Sequence, residues 1–242
     1  MNRSTRRFSS VILFLLVIGC VSSTSCNRLW GRSNLRNDYF ALRHGQSLAN
    51  VEGIIASNPE VACNEYGLSD MGMNQARSAG KLIAQVYMSS ITEYKGILVV
   101  SSDLLRAKET ADCVADAARE ASIPLYNDTV VIDKRLRERG FGSWDFGSDK
   151  HYRDVWQDDA IDPTHEVMGV ESVSSVIERA TECIVDWDER AHGYFVICVA
   201  HGDVLQILQT AFNKIDGSLH RSLDHLETAV LRSLKLAEEP GI

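Results

Sequence analysis

No apolar run in this chain is long enough to cross a bilayer. The stretch Val11 to Gly19 is wholly apolar, but it covers about ten residues against the roughly 20 that a membrane-spanning helix needs. Positive charge is also short: 25 Lys and Arg stand against 33 Asp and Glu, a formal −8. That balance argues against nucleic acid as a partner. All 33 acidic residues follow Arg36, so the body of the chain is more acidic than the total implies. A negative shell around a positive pocket is still compatible with small phosphorylated substrates, because the local field decides what enters. Cysteine and histidine spacing resembling a zinc site is absent, and so are internal repeats and low-complexity tracts. A metal hydrolase built on His44, His201 and Asp203 has no closely spaced ligand motif behind it, and no cofactor or metal is expected.

The N-terminus has the layout of a signal peptide. Arg3, Arg6 and Arg7 precede the apolar stretch, and the small residues from Cys20 to Ser25 follow it, with cleavage expected after Ser23 or Ser25. The same residues leave two other addresses open. Val17-Ile18-Gly19-Cys20 resembles a bacterial lipoprotein box, which would put a lipid on Cys20 and tether the domain to a membrane, and the acid-free stretch to Arg36 resembles the second half of a bipartite organelle signal. The expected division is therefore a targeting segment over 1–25, a polar connector over 26–37 and one domain over 38–242. Of the six cysteines, Cys20 and Cys26 belong to the leader region. Cys63, Cys113, Cys183 and Cys198 remain, and free structural thiols are expected of them, since four cysteines allow three pairings and the sequence selects none.

Three expected strands run straight into phosphate-handling side chains. Tyr39 to Leu42 leads into Arg43-His44-Gly45, Ile97 to Val100 into Ser101 through Arg106, and Tyr194 to Ala200 into His201-Gly202. Apolar spacing predicts helices from Ser69 to Tyr87 with Ser69 as N-cap, after Asp103 as N-cap, after Ser172 as N-cap, and from Val204 toward Phe212. Further strands are expected near Val130 to Asp133 and over Thr228 to Leu236. Strands alternating with helices predict an α/β fold of three layers, a mainly parallel sheet covered by helices on both faces. Ser143 to Gly169 has no clear period and is too long for an ordinary connection, so a small cap insertion over the pocket is expected there. In a parallel sheet the residues just past strand C-termini share one edge, where ligands bind. Two histidines and two arginines should therefore meet in one pocket, a cluster suited to phosphoryl transfer through a histidine.

A glycine after His44 permits close backbone approach of a phosphate, and the Arg43 guanidinium offers it bidentate contacts. Arg43-His44-Gly45 with Asn50 is accompanied by Tyr66 through Gly72 with Gln75-Ala76, by Ser101 through Ala107 with Glu109-Thr110-Ala111, by Leu136 through Gly142, by Glu171-Ser172 with Arg179, and by Ala200-His201-Gly202. Through these motifs the chain resembles the histidine phosphatase superfamily, in its phosphoglycerate-mutase-like branch. The resemblance implies His44 as nucleophile, Arg43, Arg106 and His201 as ligands of the transferring phosphoryl group, Asn50 as a further polar contact, and Glu138 as acid and base. It also implies hydrolysis of phosphate monoesters of small metabolites. Phosphoglycerate mutase is the alternative enzyme, and a phosphate-binding module without chemistry is the alternative from another class. Mutases of the branch usually carry a tryptophan where this chain has Ala49, and Gly-Asn-Ser-Leu-Arg where it has Gly202-Asp203-Val204-Leu205-Gln206. Asp203 is expected to repel the carboxylate of a phosphoglycerate. On the residues alone, Glu138 could instead belong to a surface cluster with Arg135, Arg137 and Arg139, Arg106 could be a solvated first-turn residue, and His201 a structural histidine. His151, His165, His192, His220 and His225 match no motif and are expected to be ordinary.

Overall fold

The structure, a computed structural model, describes residues 26–238. The targeting segment, its cleavage positions and Cys20 lie outside the described residues. Strand β1 (Asp38–Arg43) leads into two short helices, α1 (Leu48–Glu52) and α2 (Pro59–Ala62), and then the long α3 (Asp70–Ser89). Next come β2 (Ile97–Ser101), α4 (Leu105–Glu120) and β3 (Val131–Ile132). The chain continues through α5 (Tyr152–Ile161), α6 (Val173–Arg190), β4 (Phe195–Ala200), α7 (Gly202–Phe212) and β5 (Leu231–Leu234).

The five strands form one sheet in the order β3-β2-β4-β1-β5, parallel except for β5, which runs antiparallel to β1 at the edge. β2 and β4 are buried at every position. Both faces of a central parallel strand are covered, and this is why these two strands read as unbroken apolar runs. Alternate residues feed two cores. Tyr39, Ala41, Leu98, Val100, Val196 and Cys198 meet α6 and α7 on one face, while Leu42, Ile97, Val99, Ile197 and Val199 meet α3 and α4 on the other. The three-layer expectation holds.

Helix starts follow local chemistry, with one correction. The Ser69 side chain accepts from Gly72 N and the Ser172 side chain from Ser175 N, as their cap positions predict. Asp103 does not cap α4; Leu104 occupies that position without a side-chain bond. The Asp103 carboxylate is taken by Arg137 at 2.7 and 2.6 Å, a bidentate ion pair stronger than a neutral cap. The stretch from 26 to 37, expected as a connector, lies against the body of the domain. Leu29 is fully buried in the core beside α6 and α7, Asn27 donates to Ala211 O at 3.0 Å, and Arg36 N is held by Asp188. One apolar anchor flanked by polar residues carries no periodicity to read. Cys63, Cys113, Cys183 and Cys198 are free thiols. Among the described residues no helix is long and apolar enough to cross a membrane.

The cap segment 143–169 contains α5 between short 3-10 turns. Its period escapes a sequence reading because Val155 and Asp159 are the buried positions of the helix, and one of them is charged. Val155 joins Ile55, Phe141 and Val170 in a small separate core under the cap.

The loop that follows β1 rests directly on the first turn of α3. A Cβ on Gly45 would meet Gly72 O at 2.4 Å, and one on Gly72 would meet Gln46 O at 1.9 Å. Gln46 is pinned from both sides, its N–H donating to Gln75 Oε1 at 2.8 Å and its carbonyl accepting from Ser69 N at 2.9 Å. Gly72→Ala must therefore push the loop away. Steric overpacking of this kind costs about 1–3 kcal/mol, and a drop in Tm of roughly 4–8 °C is expected from thermal unfolding for a loss near 2 kcal/mol. An unchanged Tm would mean that the loop is not wedged on α3.

Candidate active site

Because β2, β4 and β1 are neighbours, the residues beyond their C-termini converge. His44 N bonds Ala200 O at 3.0 Å and Ser102 N bonds Val199 O at 3.0 Å, so the ladder continues one residue past each strand. His44 and His201 then stand with ring centroids 5.2 Å apart, both buried. Arg106, in the first turn of α4, reaches across to His44.

Hydrogen bonding defines the His44 tautomer. Its Nδ1 lies 2.7 Å from Gly45 O, a carbonyl that can only accept, so Nδ1 carries the proton. Nε2 accepts from Arg106 Nε at 3.1 Å, so it is unprotonated and its one lone pair is directed at Arg106. Burial, then the Arg106 and Arg43 cations, hold His44 well below the ordinary histidine range, so its ring is neutral at pH 7. His201 is lowered in the same way, by burial first and Arg106 second. Its Nε2 lies 2.8 Å from Ser102 Oγ. That oxygen also accepts from Leu104 N at 3.2 Å; in the tautomer where its hydroxyl donates to His201 Nε2, the His201 proton sits on Nδ1.

Three buried nitrogens here have no partner among the described residues: Arg43 Nε and Arg106 Nη1, which are donors, and His201 Nδ1, a donor in that tautomer. Buried polar groups are ordinarily paired. Three unmet nitrogens beside one imidazole define a place for an anion with several oxygens. Each guanidinium is also anchored on a backbone carbonyl, Arg106 Nη2 on Ala56 O at 3.0 Å and Arg43 Nη1 on Leu226 O at 3.3 Å. Gly202 lets the Arg43 side chain lie against the start of α7, where a Cβ would come within 3.3 Å of it.

Glu138 lines the same cavity of about 200 Å³. Burial, then the Asp203 charge, push its carboxyl up to about 7, against the pull of Arg106. The neighbouring arginines do not form a surface cluster with it. Arg135 pairs with Asp133 and Asp186, and Arg137 with Asp103. Arg139 is fully buried, bidentate to Asp159 at 2.7 Å and bonded to Asp203 at 3.1 Å. Arg179, itself held by Glu171, grips the carbonyls of Arg135 and Arg137 at 2.7 and 2.9 Å and so fixes the backbone that presents Glu138.

The structure thus brings together His44, Arg43, Arg106, Glu138 and His201. Asn50 lines the cavity, with its carbonyl oxygen committed to Ser47 N and Oγ in the capping box of α1. Asp203 is held by Arg139 and by Trp156 Nε1 at 2.8 Å, and its charge still reaches the cavity, where it raises the Glu138 carboxyl. His225 departs from the ordinary role expected of it, accepting from Arg43 Nη1 at 3.2 Å and lining the cavity. His165 and His220 both bond Asp159. Ser102, Tyr152, Trp156 and Arg221 were not singled out as site residues from the sequence. Ser102 lies inside a quoted motif, whereas the other three belong to segments without period. Among the described residues no group of three or more His, Cys, Asp or Glu could hold a metal ion.

The pattern of the histidine phosphatase superfamily (branch 1) matches residues 39–240. The chain belongs to that superfamily. It is 29% identical over 184 residues to a glucosyl-3-phosphoglycerate phosphatase of Mycolicibacterium vanbaalenii, covering 70% of this chain and 71% of that protein. It is 25% identical over 217 residues to a probable phosphoglycerate mutase, GpmB, of Erwinia tasmaniensis, covering 84% of this chain and 91% of the relative. Among solved structures, a mycobacterial glucosyl-3-phosphoglycerate phosphatase in complex with VO3 superposes with a TM-score of 0.64 at 24% identity, over 80% of this chain and 88% of that one, a likeness of fold.

The electrostatics make one direct prediction. Followed by carboxyl NMR, Glu138 is expected to titrate near pH 7, because burial and the Asp203 charge raise it. Its pKa is raised in the folded protein, so the buried carboxylate costs stability as pH rises from about 4.5 to 7, by up to roughly 3 kcal/mol. Glu138→Gln removes that slope from the stability profile. Titration at the ordinary carboxylate value would show that the site is wetter than its burial implies.

Proposed function

We propose that this cavity hydrolyses phosphate monoesters of small metabolites through a phosphohistidine on His44. The observation that carries the reading is the set of three buried, unpartnered nitrogens on Arg43, Arg106 and His201 around a neutral imidazole whose Nε2 is unprotonated. As the phosphoryl oxygens draw the Arg106 guanidinium from Nε2, the freed lone pair attacks phosphorus in line, and the ester P–O bond breaks. Arg43, Arg106 and His201 stabilise the charge spread over the three equatorial oxygens. Glu138, half protonated near neutrality, gives its proton to the leaving oxygen. Water then attacks the phosphohistidine, its proton returns to Glu138, and inorganic phosphate leaves with His44 restored.

A phosphatase reading agrees with the Mycolicibacterium relative, and the Erwinia relative favours a mutase as the second reading. Gln206 speaks for the first. Where mutases of the branch carry an arginine, its amide nitrogen is spent on the carbonyls of His220 and Leu223 at 2.9 and 3.0 Å. It binds this chain's own loop instead of a substrate. Isomerisation of 3-phosphoglycerate to its 2-phospho isomer, with a trace of bisphosphate present, would support the mutase reading; release of inorganic phosphate without isomer supports hydrolysis.

Substituting the acid separates its role from phosphate binding. Glu138→Gln should slow hydrolysis of an alkyl phosphate by about 10²–10⁴-fold, and slow phosphoenzyme formation from an aryl phosphate with a good leaving group far less. Arg106→Ala should impair both esters together. Equal losses of phosphoenzyme formation for both esters in Glu138→Gln would remove Glu138 from the role of leaving-group acid.

A further inference from the structure

One cation in the cavity has no part in holding the transferring phosphoryl group. Arg221 lines the same cavity as His44 and Glu138. Its guanidinium lies 3.7 Å from the centroid of the Trp156 ring and has no hydrogen-bond or ion-pair partner among the described residues. The other buried or cavity-lining arginines each hold at least one protein acceptor. Arg43 and Arg106 are anchored on backbone carbonyls, and Arg139 on Asp159 and Asp203. A guanidinium placed over an indole face leaves N–H groups free, an arrangement suited to grip a planar or tetrahedral anion.

The surroundings hold Arg221 in place. Gln206 takes the carbonyls on either side of it, those of His220 and Leu223, and Arg232 takes the carbonyl of His225 at 2.9 Å. Trp156 is fixed by its Nε1–H to Asp203 and by stacking on Tyr152 with centroids 5.6 Å apart. No neighbouring acid forms an ion pair with Arg221, although the Asp203 charge reaches it. Asp203 is already bonded to Arg139 and Trp156, and Glu138 is buried and bonded to Arg139 N. Asp149 lines the outer part of the cavity and is exposed to solvent.

We propose that Arg221, stacked on Trp156, forms a second anion subsite, so that the preferred substrates carry a carboxylate or second phosphoryl group on the part of the ester that leaves. The inference rests on the hydrolytic reading of the cavity and adds the substrate class. It assigns Arg221 to specificity and not to the chemical step. A substrate with two anionic ends bridges the His44 side and the Arg221 side. A mono-anionic ester uses the first alone.

Glycerol 3-phosphate and 3-phosphoglycerate differ only in a hydroxymethyl against a carboxylate, so their affinities isolate the subsite. Binding is read by calorimetry on His44→Ala, which removes turnover from the measurement. The carboxylate should bring about tenfold or tighter binding, the scale of a charge-assisted hydrogen bond. Adding Arg221→Gln should abolish the difference while leaving glycerol 3-phosphate affinity within about threefold. Arg221→Lys, which keeps the charge and loses the planar guanidinium, should retain part of it, and serves if the Gln variant does not fold. Fructose 1,6-bisphosphate against fructose 6-phosphate makes the same comparison for a second phosphoryl group, so the two arms tell which anion the subsite takes. Equal affinities within both pairs, or equal losses for both members on Arg221→Gln, would overturn the inference. Hydrolysis of an aryl phosphate by the wild type, lost in His44→Ala, tests the catalytic reading separately: its absence would sink that reading and leave the binding result to stand or fall alone.

Discussion

The hydrogen bond from Arg106 Nε to His44 Nε2, 3.1 Å long and wholly buried, sets the terms for the rest of the site. A permanent cation donating to that nitrogen excludes a proton from it, and Gly45 O takes the only proton the ring holds. The imidazole is therefore neutral and correctly turned before any substrate arrives. Such an arrangement requires Arg106 to be buried with little compensating negative charge, which is costly without an anionic ligand. The unmet nitrogens Arg43 Nε, Arg106 Nη1 and His201 Nδ1 are the same feature seen from the ligand's side.

Around this contact, the structure spends its buried ion pairs on positioning. Arg179 and Glu171 fix the backbone before Glu138, and Arg139, the residue after it, is tied to Asp159 of α5 and Asp203 of α7. Removing one partner from such a buried pair typically costs 3–5 kcal/mol, so the acid, the cap and the start of α7 move together or not at all. Asp159 also accepts from His165 and His220, joining the cap helix to the loop that carries Arg221. The cavity roof and the candidate second subsite thus share one buried carboxylate.

Much of this was legible in the sequence, and the exceptions have physical reasons. β2 and β4 are apolar throughout because both faces are covered, and the phosphate-handling residues follow such strands directly, so His44, Arg106 and His201 could be placed at one edge. Glu138 was identifiable only by its motif, since three adjacent arginines mask its burial. Arg221 and His225 lie in a 3-10 turn and coil over 217–230, where no period marks which side chains face inward. Helix α5 was missed because its buried face is one valine and one aspartate. Asp103 misled as a cap because a distant arginine, invisible to local spacing, claims its carboxylate.

The central claim is that phosphate passes through His44 Nε2. Rapid quenching under alkaline conditions during turnover, followed by peptide mass spectrometry and ³¹P NMR, measures it directly. The account predicts a phosphoryl group on His44, attached at Nε2, lost in acid and kept in base, and absent from His44→Ala. An acid-stable adduct on another residue, or phosphate on Nδ1 of His44, would contradict it.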